Sequence, residues 1–160
     1  MNTKLQAGDQ APEFSLASTD GVQTLARHRG NWVVLYFYPK DSTPGCTTQA
    51  CDLRDNLASL DAVVLGVSPD SIASHESFIA EHGLNFPLLA DEDHVVAGQY
   101  GVWGPKKVFG KDVVGITRSS FIIDPQGKVA AALYGVDAKG HAGRVAELLA
   151  GLRESGTAAA

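Results

Sequence analysis

The sequence predicts a single α/β domain, a mixed β-sheet flanked by α-helices, that spans residues 1–160 with its core at about 5–154. Three observations predict it. Runs of consecutive apolar residues read as strands buried on both faces. Helical patterns alternate with these runs, the β-then-α rhythm of a sheet covered by helices on both faces. A turn signal, Asp124-Pro125-Gln126-Gly127, joins two runs directly as a hairpin, so the strand directions are mixed.

The strand segments are residues 32–38, 62–67, 86–89, 119–123 and 129–134. Thr19-Asp20-Gly21 carries turn chemistry near the start of the chain. Helices are predicted over 44–60, 71–82 and 141–153. In the last, Val145, Leu148, Leu149 and Leu152 recur at i, i+3, i+4 and i+7, the spacing of one buried stripe that packs on the sheet. Residues 100–115, rich in Gly and Lys and without a clear period, read as a surface excursion. The tail at 156–160 is expected to fray.

Composition narrows the function. Thirteen Lys and Arg stand against eighteen Asp and Glu, and no basic block occurs, so the electrostatic footprint of a nucleic-acid or anionic-membrane partner is missing. The start of the chain lacks the basic, then continuously apolar pattern of a secretory signal, and no apolar run approaches the roughly 20 residues that span a bilayer. Two cysteines are too few for a disulfide scaffold. A cytoplasmic protein is expected, in which any disulfide is transient.

The apolar run from Trp32 to Tyr38 stops at Pro39, and Ser42-Thr43-Pro44 then reads as a helix start. Proline is tolerated in the first turn, and a preceding Ser or Thr can cap its free N–H groups. Cys46 falls in that turn, where unpaired amides and the positive end of the helix dipole favour a thiolate, the reactive form of cysteine. On a wheel of about 100° per residue, Ala50, Leu53, Leu57 and Leu60 lie within about 40° of Cys46, whereas Cys51 lies about 140° away on the polar side. In an intact helix, residues five apart have Cα atoms roughly 8 to 9 Å from one another. A disulfide needs about 4.4 to 6.8 Å, so a Cys46–Cys51 bond requires the first turns to unwind. Spacing alone still leaves open packing cysteines or a redox pair. Zinc is disfavoured, because the five histidines are scattered and no C-x2-C pair exists.

The wider string from Tyr36 through Pro39, Thr43, Pro44, Gly45 and Cys46 to Thr47 resembles the Pro-x3-Thr-x2-Cys active-site motif of the peroxiredoxins. Residues 49–55 around Cys51, 11–16, 100–104 and 118–124 are similar to the bacterioferritin-comigratory, or peroxiredoxin Q, branch, and the likeness runs from about Gly8 to about Leu152. The resemblance implies a thioredoxin-like fold and a thiol peroxidase that needs no metal, flavin or haem. It implies Cys46 as peroxidatic nucleophile, Thr43 as a hydrogen-bonding partner of sulfur or peroxide through its hydroxyl, Arg118 as the cation that keeps the thiolate ionised, and Pro39 as a shield from water. Cys51 is implied as the resolving thiol, with hydroperoxides as substrates, thioredoxin or a similar dithiol as reductant, and a monomer as the assembly. Gln49 stands where some relatives carry Glu, which removes a carboxylate from beside the site.

Other polar residues receive bland readings. Arg118 without the motif is a strand-edge charge. His75 and His82, beside Glu76 and Glu81, read as a solvated helix face, and residues 91–94 as a charged turn capping a short helix. Lys106, Lys107 and Lys111 read as solubilising, with reductant docking as a lesser role; Trp103 and Phe109 either cover the site or anchor the excursion. Two rivals to a peroxidase remain. A dithiol-disulfide oxidoreductase normally uses C-x2-C, against which the wider spacing argues. A noncatalytic binding module would leave both cysteines incidental.

Overall fold

The computed structural model describes residues 4–159. Along the chain run β1 (Ser15–Ser18), β2 (Gly21–Thr24), a 3₁₀ turn (Ala26–His28), β3 (Val33–Phe37), α1 (Pro44–Leu60), β4 (Val63–Ser68) and α2 (Ile72–His82). There follow β5 (Leu88–Ala90), α3 (Val95–Gln99), β6 (Trp103–Val108), β7 (Lys111–Ile116), β8 (Ser119–Ile123), β9 (Val129–Tyr134) and α4 (His141–Ala159). The main sheet has the order β2-β1-β5-β4-β3-β8-β9, and β6 and β7 form a separate two-stranded ribbon.

At the centre, β3, β4 and β5 are parallel, joined through α1 and α2. Both crossovers step the same way along the sheet, and right-handed crossovers that do so fall on one face. Side chains alternate along β3 accordingly: Val34 and Tyr36 join Ala50 and Leu53 of α1, Phe78 of α2 and Val145 and Leu149 of α4 in one core. Val33, Leu35 and Phe37 point into a second core with Phe14, Val96, Ala97, Tyr100 and Phe121. The expectation of helices on both faces holds, but the helices are divided unevenly. The three long helices share one face; the other is covered by short α3 and by connecting segments.

Four expectations change. The excursion at 100–115 is mostly the β6–β7 hairpin, turned by Phe109 and Gly110 with φ of 52° and 79°, the positive pair that a two-residue turn needs. β7 is exposed along most of its length, so no buried face imposed a two-residue period on its sequence. The helix predicted to end at 153 continues to Ala159, so a frayed start at 156 is not what the backbone shows; residue 160 lies outside the described residues. His75 is wholly buried rather than solvated. Trp103 stacks on His94, with ring centroids 3.7 Å apart, and anchors the hairpin, while Phe109 at its tip is fully exposed. The charged turn at 91–94 does cap α3: Asp91 accepts hydrogen bonds from the amides of Val96 and Ala97 at 3.2 and 2.8 Å.

The loop between β3 and α1 is clasped from α2. Asp41 accepts from the Tyr38 hydroxyl at 2.5 Å, the Ser74 hydroxyl at 2.8 Å and His75 Nδ1 at 2.7 Å, while its own amide donates to Asp70 at 2.8 Å. His75 Nε2 faces the Leu89 carbonyl at 2.9 Å, so each ring nitrogen has a polar partner. Burial alone would raise the Asp41 carboxyl; the hydrogen bonds from His75, Tyr38 and Ser74 outweigh it and hold the group below its usual value. Directly after the clasp, Ser42 adopts φ of 64°, a conformation a non-glycine residue keeps only when its surroundings impose it.

At the other end of the helical face, Asp52 of α1 accepts from the amide of Ala142 at 2.9 Å and caps the start of α4. The adjacent His141 is 2% exposed, and its Nε2 lies 2.6 Å from the Ser120 hydroxyl of β8. Burial drives its pKa from 6.5 down to about 4, so the ring is neutral in the folded protein at neutrality. Below 6.5 the unfolded chain therefore binds a proton that the folded one refuses, and stability falls as the pH drops towards 4.

Two outcomes follow from these buried groups. His75→Leu leaves the Asp41 carboxylate short of a buried partner, and urea denaturation should show a loss of about 3 kcal/mol; an unchanged midpoint contradicts the clasp. The stability advantage of wild type over His141→Leu should shrink by up to about 3 kcal/mol between neutrality and pH about 4. A constant difference across that range would mean that His141 is not held neutral.

Candidate active site

α1 begins as its sequence dictates. Thr43 is the N-cap, with extended φ and ψ of −86° and 154°, and Pro44 follows in the first turn. The side chain of Thr43 makes no capping hydrogen bond; its hydroxyl donates to the Lys40 carbonyl at 2.8 Å and so ties the turn back to the loop. Amides of the first turn, including those of Gly45 and Cys46, have no preceding helical carbonyl to bind. They remain directed at whatever approaches the helix start.

Cys46 sits among these donors and is 2% exposed, packed beside Tyr36, Tyr38 and Ala50. Arg118 reaches it from the link between β7 and β8: Nη2 lies 3.3 Å from the sulfur, and Nη1 donates to Gln49 Oε1 at 2.6 Å. Gln49 is three residues beyond Cys46, hence on the same side of α1, and one guanidinium therefore bridges both side chains. The Arg118 carbonyl is held by the Val136 amide at 2.9 Å. Gly45 completes the fit. A Cβ there would stand 3.1 Å from Nη2 and 3.9 Å from the Ala138 methyl, so a side chain at this position would press on the guanidinium.

The floor of the site is apolar with a few polar atoms. Gln49 Nε2 and the Tyr36 hydroxyl are buried without a hydrogen-bond partner among the described residues. Burial first, and the Cys46 charge next, raise the Tyr36 phenol far above its usual value, which keeps it a neutral hydroxyl. The ring passes so close to Gly66 that a Cβ there would lie 2.9 Å from the phenolic oxygen, and this glycine is what lets Tyr36 fit under the helix.

Cys51 is half-buried one and a half turns on, and both cysteines are free with α1 unbroken between them. The helix is fastened beyond that point: Arg54 Nη1 donates to the His82 carbonyl at 2.5 Å, and the Arg54 carbonyl accepts from Asn85 at 3.2 Å. Pro39 lies half-buried in the loop after β3. The structure thus brings Cys46 and Arg118 into contact, keeps Thr43 in the adjacent turn bound to Lys40, and holds Cys51 apart.

Sequence reasoning missed three contributors. Gln49 was read only as a lost charge, yet its amide oxygen anchors Arg118. Asp41 lies inside the motif string, but the histidine that clasps it comes from a segment whose local pattern looked solvated. Lys106 was grouped with exposed lysines, although its ammonium turns inward to the Ile116 carbonyl. Asp41, Asp70 and His75 also place ligand-type atoms within 4.8 Å of one another, a geometry that could suggest a cation. Their atoms are already engaged with Tyr38, Ser68, Ser74, Leu89 and the loop backbone, which makes the cluster a hydrogen-bonded brace.

Comparison with known proteins gives the family. The model of the AhpC/TSA family matches residues 7–132. The peroxiredoxin Bcp of Bacillus subtilis is 46% identical over 154 residues, covering 94% of this chain and 96% of its own. That of Escherichia coli K12 is 51% identical over 129 residues, covering 78% and 83%. The solved structure of the Xanthomonas campestris bacterioferritin comigratory protein, studied for its alkyl peroxide reduction activity, superposes with a TM-score of 0.81 at 39% identity over 97% of this chain and 99% of that one. The mixed sheet with its flanking helices is accordingly the thioredoxin-like fold. By sequence and by fold the chain belongs to the AhpC/TSA family, as a peroxiredoxin of the Bcp branch, a peroxidase among the oxidoreductases.

Proposed function

We propose that Cys46 is the peroxidatic nucleophile and Cys51 its resolving partner, acting on hydrogen peroxide and on alkyl hydroperoxides of the kind reduced by the Xanthomonas protein. The observation that carries the reading is the 3.3 Å contact between Arg118 Nη2 and the Cys46 sulfur in the first turn of a helix. A thiolate beside a fixed cation and free amides is stabilised where the charge must sit before attack.

In the first step the thiolate attacks one peroxide oxygen, the O–O bond breaks, and Cys46 becomes a sulfenic acid while an alkoxide or hydroxide departs and takes a proton from solvent. Arg118 shares the developing negative charge, and the amides of Gly45 and Cys46 face the same point. The Thr43 hydroxyl spends its proton on Lys40, which leaves its oxygen free to accept from the peroxide O–H and orient it. Pro39, with no N–H to hydrate, limits water at the mouth. The Cys51 thiol then condenses with the sulfenic acid, releasing water and forming a disulfide; the first turns of α1 unwind to bring the sulfurs together.

An external dithiol, thioredoxin or a close analogue, reopens that bond by exchange and is itself oxidised. The cytoplasm is the compartment where such a cycle is sustained, and two free cysteines suit it. No helix is long and apolar enough to cross a membrane among the described residues. Among the described residues the exposed large apolar side chains are few, Val22, Val95, Phe109, Val113 and Val114, which fits a monomer.

One equivalent of hydroperoxide added to reduced protein should give an intramolecular disulfide in wild type, a trappable sulfenic acid in Cys51→Ser, and no fast peroxide consumption in Cys46→Ser, all read by mass spectrometry. Peroxide consumption by Cys46→Ser at the wild-type rate overturns the assignment. Arg118→Met should slow sulfenic acid formation by about 100-fold or more. Gly45→Ala, which only crowds the guanidinium, should slow it by roughly tenfold with the fold intact. Equal rates for Gly45→Ala and wild type would show that the position of Nη2 is not limiting.

A further inference from the structure

Lys106 stands apart from the other lysines of its hairpin. The Lys107 side chain is 75% exposed and pairs loosely with Asp112 at 3.6 Å, and Lys111 is exposed, whereas Lys106 is half-buried. The ribbon register explains where it goes. Lys106 faces Val113 and Gly104 faces Gly115, so the two pairs share one side of the ribbon, and the glycine pair leaves a path for the lysine stem. The stem follows that path: a Cβ at Gly115 would lie 3.4 Å from Cε and 3.9 Å from Nζ of Lys106. The ammonium ends on the Ile116 carbonyl, two residues before Arg118.

Its electrostatic neighbours are the groups of the site. Burial first, and then the Arg118 guanidinium, lower its pKa, while Cys46 acts in the opposite sense. A lysine placed for solubility would extend into water, where its long stem and charge are cheapest to accommodate. This one accepts partial burial and a neighbouring cation, and its ammonium is bound two residues from Arg118, whose guanidinium touches the Cys46 sulfur.

We propose that Lys106 is a positioning residue of the peroxidase site, a second cation that favours negative charge at Cys46 and on the oxygen leaving it. The proposal rests on the reading of Cys46 given above. It introduces no new covalent step: sulfur still displaces the alkoxide, and the alkoxide still takes its proton from solvent. Lys106 lowers the energy of the negative charge before and during O–O cleavage, in support of Arg118. By bonding the Ile116 carbonyl it also fixes the strand end that carries Arg118.

The test uses the full chain with Cys51→Ser, so that one thiol reports, and compares Lys106→Met and Lys106→Arg with the parent. Two rates are followed against pH, iodoacetamide alkylation of Cys46 and sulfenic acid formation with hydrogen peroxide. Lys106→Met should move the alkylation midpoint to higher pH and slow the peroxide reaction by roughly tenfold near neutrality, and Lys106→Arg should restore most of both. A midpoint identical in all three proteins overturns the proposal. So does an equal slowing in both variants that tracks an equal loss of thermal stability, because Lys106 would then only anchor the hairpin. If the parent ignores peroxide while its alkylation midpoint still responds to Lys106, the peroxidase reading of Cys46 fails and the electrostatic role stands.

Discussion

A sulfur in the first turn of a helix and a guanidinium at a strand end meet at 3.3 Å, although 72 residues separate them in the chain. Sheet register sets that meeting. In the antiparallel β3–β8 pair, Phe37 faces Ser119, so Arg118 emerges level with the loop that leads from β3 into α1. A slip of one residue would displace it by roughly 3.3 Å along the strand and turn its side chain to the opposite face. The alternation of Val33, Leu35 and Phe37 against Val34 and Tyr36 between two filled cores forbids that slip. The geometry around sulfur is thus a consequence of burial many residues away.

The same burial divides the helical segment into a braced part and a releasable part. The loop before α1 is clasped by Asp41 and His75, and the helix after Cys51 is tied through Asp52 to α4 and through Arg54 to the end of α2. Between these fastenings lie Pro44 to Cys51, whose polar tertiary contact is the Gln49–Arg118–Cys46 bridge. That bridge depends on the charge of the sulfur, since an ionised acceptor binds a guanidinium more strongly than a neutral one. In the proposed cycle, oxidation to a neutral sulfenic acid weakens it, so the chemical step itself would loosen the stretch that has to move for Cys51 to approach.

Much of this was legible in the sequence where local pattern and tertiary role coincide. The boundaries of α1, β8 and β9 follow from Pro44 at a helix start, Asp124 to Gly127 at a hairpin and the apolar runs beside them. β5 starts later than its apolar run because Pro87 cannot donate to a ladder. The β6–β7 ribbon was invisible because its exposed face has no core to impose a period. His75 was misread for the opposite reason: a polar residue flanked by glutamate looks solvated, and only the tertiary arrival of Asp41 reveals why it is buried. Gln49 and Lys106 share that character, each meaningful only through a partner brought by the fold.

In the proposed cycle the burial of Cys46 sets two demands against each other. At 2% exposure the sulfur is shut off from water, so the groups that meet negative charge there during attack have to be fixed donors of the protein. Those donors, the first-turn amides and the Arg118 fork, exist only while the turn is formed and the guanidinium is seated on Gln49. Resolution requires the reverse, since the Cα spacing of two cysteines five apart in a helix exceeds disulfide reach. One stretch of helix must therefore be ordered for attack and disordered for disulfide formation. Placing it at a terminus, where opening costs least, and fastening the rest of the helix beyond it satisfies both demands without disturbing the core.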